Sequence, residues 1–414
     1  MRLLLNRAMK RWKKISLLLL LLLLLSQTPF IYRRYKLGRL AATIRALNAE
    51  RAAPDANDPY SDHKGVVHVH SQLGGHSTGG FDDIVRAAKS NGLSFVLMTE
   101  HPSKYVDTSQ STLRGLHEGV LFVGGSEINA AHEDRLLVLP GVAPPDAGIA
   151  PPNTQQFVNQ AKGEGGRLVF VAYPEQLRSW DLQGIDGIEI YNLYTNSKKI
   201  RYGLLFFDGL WSYWSYPHLL FSTFYEKPET NLKKWDELTA SGNRRLVAIA
   251  GNDAHQNVGL RLQEQTGEPL LQIQLDPYER SFRIVRTHVL VEKGQPLSTE
   301  TLLAALAAGH SYIAFDLFAD ATGFRFTAEN ESEKKLLGDE LMLNGATRLV
   351  ASAPVKSRIR FIRDGEVVHE EKDALRKELP IDRKGVYRVE VYLDRLGEPL
   401  DEKPWIISNP IYVR

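Results

Sequence analysis

The sequence contains no cysteine, which excludes disulfides, thiolate zinc sites and cysteine nucleophiles together. Acidic residues are missing from the first 39 positions, which carry ten basic ones (Arg2, Arg7, Lys10, Arg11, Lys13, Lys14, Arg33, Arg34, Lys36 and Arg39). The remainder then holds 41 basic against 49 acidic residues, a balance of −8 that the overall +2 conceals. Binding to long nucleic acids rests on phosphate neutralisation, so an acidic body argues against a polymeric nucleic acid as partner. There are no internal repeats, and the one low-complexity tract is a run of nine leucines, Leu17–Leu25.

That run lies in an uncharged stretch from Ile15 to Tyr32. At about 1.5 Å per residue it spans roughly 27 Å, enough to cross a bilayer core. Trp12 and Tyr32 stand near its ends, where aromatic belts form. The basic cluster before it predicts a cytoplasmic N-terminus, with everything after Arg33 on the exported, periplasmic or extracellular, side. A cleaved signal peptide shares this pattern, but Ser26-Gln27-Thr28-Pro29 is not a small-x-small cleavage site. The expectation is a single-pass membrane anchor over 1–35 and a stalk over 36–60, the latter closing on the breaker-rich Pro54–Pro59.

From Val66 short apolar runs alternate with helical patterns. The runs are Val66–His70, Leu93–Thr99, Leu121–Ser126, Arg135–Leu139, Leu168–Ala172, Gly187–Tyr191 and Leu246–Ala250; Phe81–Asn91, Asn153–Gly163 and Leu232–Ser241 read as helices between some of them. Strands alternating with helices imply a parallel sheet, and seven of them suggest a closed or nearly closed barrel. The unit is expected over 61–322, with a last strand at His288–Glu292 and a helix at Thr299–Gly309. Period-two alternation beyond Gly323, with Asp364-Gly365 as a turn, predicts a small antiparallel β-sandwich over 323–414. Residues 204–225 are unusually aromatic, which fits an insertion packing its own rings, a substrate-lining lid or a membrane-contacting patch.

Histidines and carboxylates gather at the strand ends. His68 and His70 close the first run at i, i+2, His76 follows in a glycine-rich loop, and Glu100-His101 closes the second. Glu127 closes the third with His132 just beyond, and Asp253-Ala254-His255 follows the seventh. In a parallel barrel all these ends open on one face, so distant positions converge. Imidazole and carboxylate are the ligand set for zinc, manganese or iron, and the number of ligands exceeds one ion's needs, so two or three divalent ions are expected. Such ions bring the pKa of bound water towards neutrality. His63, His117, His218, His288, His310 and His369 read as structural. Lys104, Arg135 and Lys198 read as solvated, with an anion clamp as the alternative.

These residues resemble the polymerase and histidinol phosphatase (PHP) family. The likeness is carried, in order over about 60–320, by His68-Val69-His70, loop His76, Glu100-His101, Glu127 with His132, and Gly251-Asn252-Asp253-Ala254-His255. It implies a distorted (β/α)7 TIM-like barrel, a di- or trinuclear site and phosphoester hydrolysis; the acidic body favours a small or medium anionic substrate over a polymeric nucleic acid. The closing Trp405–Pro410 is similar to the C-terminal module of exported members, some of which act on other esters. By carry-over His68, His70, Glu127 and Asp253 hold one metal, with Glu127 bridging; His76, His101 and His255 hold a second; His132 serves a third. His68, His70, Glu127, Asp253 and His255 are the implied catalytic set. Two departures stand out: Tyr173 occupies the family's His-Pro position, which puts the third metal in question, and Glu100 replaces an Asp. A non-catalytic metal-binding domain, or an envelope-binding module on the same scaffold, is the alternative reading.

Overall fold

The computed structural model describes residues 2–142, 153–163, 165–241, 244–263 and 269–414. Helix α1 (Arg2–Ala49) is unbroken, so the boundary expected near residue 35 falls inside one helix. Residues Lys10–Ala49 include a segment long and apolar enough to cross a membrane, by length and composition. Leu17–Leu25 are half or more exposed, whereas Phe30, Leu37 and Leu47 are buried against the body. Full burial of such a side chain contributes about 1.5–3 kcal/mol, which explains why the expected stalk is docked rather than free.

The barrel strands follow in chain order: β1 (Tyr60–Val69), β2 (Phe95–Glu100), β3 (Val120–Asn129), β4 (Arg135–Leu139), β5 (Leu168–Ala172), β6 (Gly187–Asn192) and β7 (Val247–Ala254). Each pairs with the next, and β7 returns to β1, closing a seven-stranded ring. All pairs are parallel except those of β4, which runs antiparallel to both neighbours. The turn from Asn129 to Arg135 holds only the short Ala131–Glu133 segment. A parallel crossover needs a dozen or more residues, so this link can make only a hairpin. Strict strand-helix alternation is therefore lost here. Helices α2 (Phe81–Ser90), α3 (Thr154–Gly163) and, further on, Glu229–Ser241 lie between other strands as the periodicity predicts.

Inside the ring Val67, Leu97, Val123, Leu137, Phe170 and Ile249 form one buried cluster with Tyr173 at its edge. Phe81–Ser90 buries Ile84, Ala87 and Ala88 against Val66, Val96 and Phe122 on the outer wall. Such two-sided burial is why the strands read as continuous apolar runs.

The first half of β1 pairs antiparallel with β8 (Arg286–Glu292), which pairs with β9 (Ser311–Ala314). The ladder then crosses the boundary expected at 322: β9 pairs with Ile406–Ser408, which pairs with Gly385–Tyr392. Beyond Gly323 the strands are antiparallel as expected, apart from a short parallel pairing of Glu340–Leu341 with Ile411–Val413. Buried ion pairs reinforce the junction. His288 lies between Asp62 (2.8 Å) and Asp316 (3.2 Å), and Arg388 meets Asp236 (2.7 Å) and Glu390 (2.7 Å). His288 is thus structural, as its sequence context implied.

Candidate metal centre

At the C-terminal ends of the parallel strands two groups of ligand-bearing side chains assemble. His68, His70, Glu127 and Asp253 form one, fully buried, and His70, His76, His101 and His255 the other; within each group the ligand atoms lie within 4.8 Å of one another. The family resemblance places His70 with His68, Glu127 and Asp253 alone; here its ring is within reach of both groups. Glu127 Oε2 is 3.2 Å from the Nε2 atoms of His68, His70 and His101, so one carboxylate oxygen faces both groups. His132 belongs to neither group, and neither do Glu100 or the six histidines read as structural.

The local backbone departs from regular strand to achieve this. His68 has φ 65° and sits where the β1 register shifts between Val67 and Val69. A bulge, not plain period-two alternation, therefore aims His68 and His70 at one point. Asp253 (φ 48°) and Tyr173 (φ 49°) are also left-handed. Three non-glycine residues in this sparsely populated region, all in one cluster, mark backbone held in place by its surroundings. Gly251 has a different reason for its identity: a Cβ there would lie 1.6 Å from Glu189 Oε1.

Glu189, in the middle of β6, was not singled out from the sequence. It is fully buried, its Oε1 lies 2.7 Å from His68 Nδ1, and its Oε2 accepts from Asn192 Nδ2 at 3.0 Å. A carboxylate on one imidazole nitrogen orients the ring and presents the other as a ligand. The available signal was a charged residue inside an apolar strand, Gly187-Ile188-Glu189-Ile190.

Tyr173, which stands at the family's histidine position, donates its hydroxyl to Asp253 Oδ2. Burial, with Asp253, Glu127 and Glu189 nearby, pushes its pKa up, so the phenol remains a donor. Arg135 donates to Glu127 Oε1 at 3.1 Å and stacks over the Tyr173 ring. It therefore belongs to the site's frame and is not free to clamp substrate. Glu100 accepts from Ser71 N–H and hydroxyl and from the Thr112 hydroxyl, pinning the loop after His70.

The electrostatics divide the site in two. Burial disfavours charge on His68, but Glu189, Asp253 and Glu127 outweigh it and hold its pKa well above the ordinary range. Burial likewise opposes charge on His70, which Asp253 and Glu127 nonetheless raise. Glu127 and Asp253 are ionised despite burial, because His68 and His70 face them. Two buried, ionised carboxylates thus demand positive charge, which protons or metal ions can meet, while burial pushes the pKa of Glu189 up. On the outer side burial lowers His76, His101 to about 3 and His255 to about 4, leaving neutral imidazoles, the ligand form.

The donor set fits divalent metal on a further count. Among the described residues His70 Nδ1 and Nε2 and Asp253 Oδ1 are buried yet make no hydrogen bond of good geometry, although Glu127 Oε2 lies 3.2 Å from His70 Nε2. Buried polar atoms are nearly always partnered, and three orphans in one cluster are what a ligand set looks like.

No protein-family model matches this sequence, and no curated protein matches it. Solved structures show distant likenesses. One is a two-domain protein containing a predicted PHP-like metal-dependent phosphoesterase from Bacteroides vulgatus, 15% identical, covering 87% of this chain and 98% of its own, with a TM-score of 0.38. PsfC from Pseudomonas syringae is 14% identical, covers 62% of this chain and 92% of its own, and has a TM-score of 0.34. A candidate metal-dependent phosphoesterase from Bifidobacterium adolescentis is 13% identical, with coverages of 49% and 89% and a TM-score of 0.27.

Proposed function

We propose that this chain is a membrane-anchored, metal-dependent hydrolase of phosphoesters. The observation that carries the reading is the pair of four-ligand groups sharing His70, with Glu127 Oε2 3.2 Å from an imidazole of each. His68, His70, Glu127 and Asp253 would hold one ion and His70, His76, His101 and His255 a second. Bound divalent ions would supply Lewis acidity and water activation near neutral pH.

The chain's own residues supply position. Glu189 fixes the His68 ring, Arg135 steadies Glu127, and the Tyr173 hydroxyl steadies Asp253. His101 and His255 are 18% and 12% exposed, against 0% for His68 and His70, so substrate would approach from the histidine-rich side. Lys104 and Lys198 stand on segments that rim this side, each over a tyrosine ring (Tyr105 and Tyr194), and would favour an anion. The anchor reading is supported by the continuity of α1 from the leucine run into residues packed on the body.

The test is elemental analysis of the full chain purified in detergent without added metal, followed by a phosphoester panel. The expected result is about two zinc, manganese or iron ions per chain and hydrolysis that chelation abolishes and metal restores. A content below about half an ion, not restored by adding metal, would sink the proposal.

A further inference from the structure

Helix α4 (Tyr202–Ser212) and the residues after it are packed on one side and bare on the other. Asp208 and Ser212 are fully buried, while Tyr202, Phe206, Leu210, Trp211 and Trp214 are 78, 56, 62, 41 and 82% exposed. Five large apolar or aromatic side chains exposed within thirteen residues are more than scattered surface hydrophobes.

The position of this patch along α1 is informative. The Phe30 ring packs against Phe206 (5.5 Å), Phe207 (4.9 Å) and Trp211 (6.2 Å). Arg33 reaches Asp208 through two 2.6 Å hydrogen bonds, and Arg34 bonds the Trp211 carbonyl and, at 3.0 Å, the Ser215 hydroxyl. The contacts therefore fall at the end of the uncharged stretch, where an apolar span gives way to Arg33, Arg34 and Lys36. That is the depth of lipid headgroups, where tryptophan and tyrosine concentrate and arginine and lysine reach for water.

The same segment adjoins the metal centre. Tyr194, whose ring centroid is 6.1 Å from that of His255, lies eight residues before Tyr202. At the other end the Tyr213 hydroxyl accepts from Arg280 (2.8 Å) and donates to the Gln274 carbonyl (3.3 Å), and Gln274 Nε2 in turn donates to the Gln256 carbonyl (2.7 Å) beside His255.

We propose that α4 and Trp214 form a bilayer-seated surface which, clamped to the end of the anchor by Arg33–Asp208, holds the mouth of the metal centre at the membrane surface. The occupant of the exposed face is lipid. A lone anchor would leave the body free to swing; a second contact beside the site fixes which side faces the bilayer and gives the site access to headgroup-level substrates. The proposal rests on the anchor reading.

Because the chain lacks cysteine, single nitroxide labels can be placed in the full protein in vesicles of phosphatidylcholine and phosphatidylglycerol. The sites are Leu20→Cys in the leucine run, Phe206→Cys and Leu210→Cys on α4, and Leu116→Cys, 73% exposed beside the start of β3. Collision with oxygen and with a water-soluble nickel chelate reports depth. We expect the labels at 206 and 210 to lie shallower than 20 but in lipid, with nickel accessibility several-fold below that of 116. If 20 is in lipid while 206 and 210 match 116, the surface is not a membrane seat although the anchor stands. If 20 is itself aqueous, anchor and seat fall together. Labels at 206 and 210 shielded from both reagents, with dipolar broadening between chains, would assign the patch to a second copy and overturn the proposal.

Discussion

Glu189 Oε1 lies 2.7 Å from His68 Nδ1, and this contact decides which nitrogen of His68 faces Glu127 and Asp253. Glu189 need touch no metal to matter. Outer partners of this kind typically affect metal affinity 10- to 100-fold. Glu189→Ala is expected to lower affinity for the buried ion by about that range, and Glu189→Gln, which keeps an acceptor for the ring N–H, by less. Competition titration against a chromophoric chelator distinguishes the two; equal affinity in all three proteins would remove Glu189 from the site.

His70 is common to both ligand groups, whereas His132 is in neither. His70→Ala should therefore strip more metal than loss of any ligand private to one group, leaving under about half an ion per chain. His132→Ala should keep the unsubstituted content. Inductively coupled plasma analysis of the two variants checks both, and metal loss in His132→Ala would restore the third position implied by the family resemblance.

The Tyr173 hydroxyl serves Asp253. Removing one partner of a buried polar contact costs about 1–3 kcal/mol. Tyr173→Phe is expected to lower stability by that order and to leave the metal count unchanged, measured by denaturant unfolding and elemental analysis. A fall in metal count would show the phenol to be a ligand itself.

Stability should depend on pH through His288, which faces Asp62, Asp316 and Tyr312, with Arg286 and Arg325 on the same carboxylates. Burial opposes its charge, yet Asp316 and Asp62 raise its pKa from 6.5 to about 9. A raised folded pKa gives stabilisation that is complete below 6.5 and lost as pH climbs through about 9. Asp62, lowered from 3.8 to about 2 by His288 and Arg325 against burial, contributes above 3.8 and loses its contribution as pH falls through about 2. Denaturant midpoints at constant metal content should fall between about pH 6.5 and 9, and His288→Gln should flatten that limb. An unchanged slope in the variant would assign the effect elsewhere.

Arg33 is 22% exposed and Asp208 fully buried, so the two ends of their pair are unequal. Arg33→Ala strands a buried carboxylate and should weaken docking of α1 on the body by about 3–5 kcal/mol. Asp208→Ala leaves an arginine that can turn to solvent and should cost less. Limited proteolysis near residues 36–50 reads the difference; equal protection in both variants would mean that the apolar contacts of Phe30, Leu37 and Leu47 suffice.

Much was already decided by residue order. An apolar run long enough to span a bilayer, seven buried strands and the candidate ligands at their ends are local properties, because periodicity and strand-end position need no partner to be recognised. What required the tertiary structure was everything resting on contacts between distant positions. The partner of His68 is 121 residues away in the middle of an apolar strand, and no local pattern ties Glu189 to it. The bulge that aims His68, the sharing of His70 and the exclusion of His132 follow from backbone geometry that a spacing of two or five residues does not encode. The reversal of β4 came from a link too short for a helix, which overrode the alternation around it. The stalk became part of the body because Phe30, Leu37 and Leu47 found apolar surface to bury, and only the folded chain reveals which surface that is.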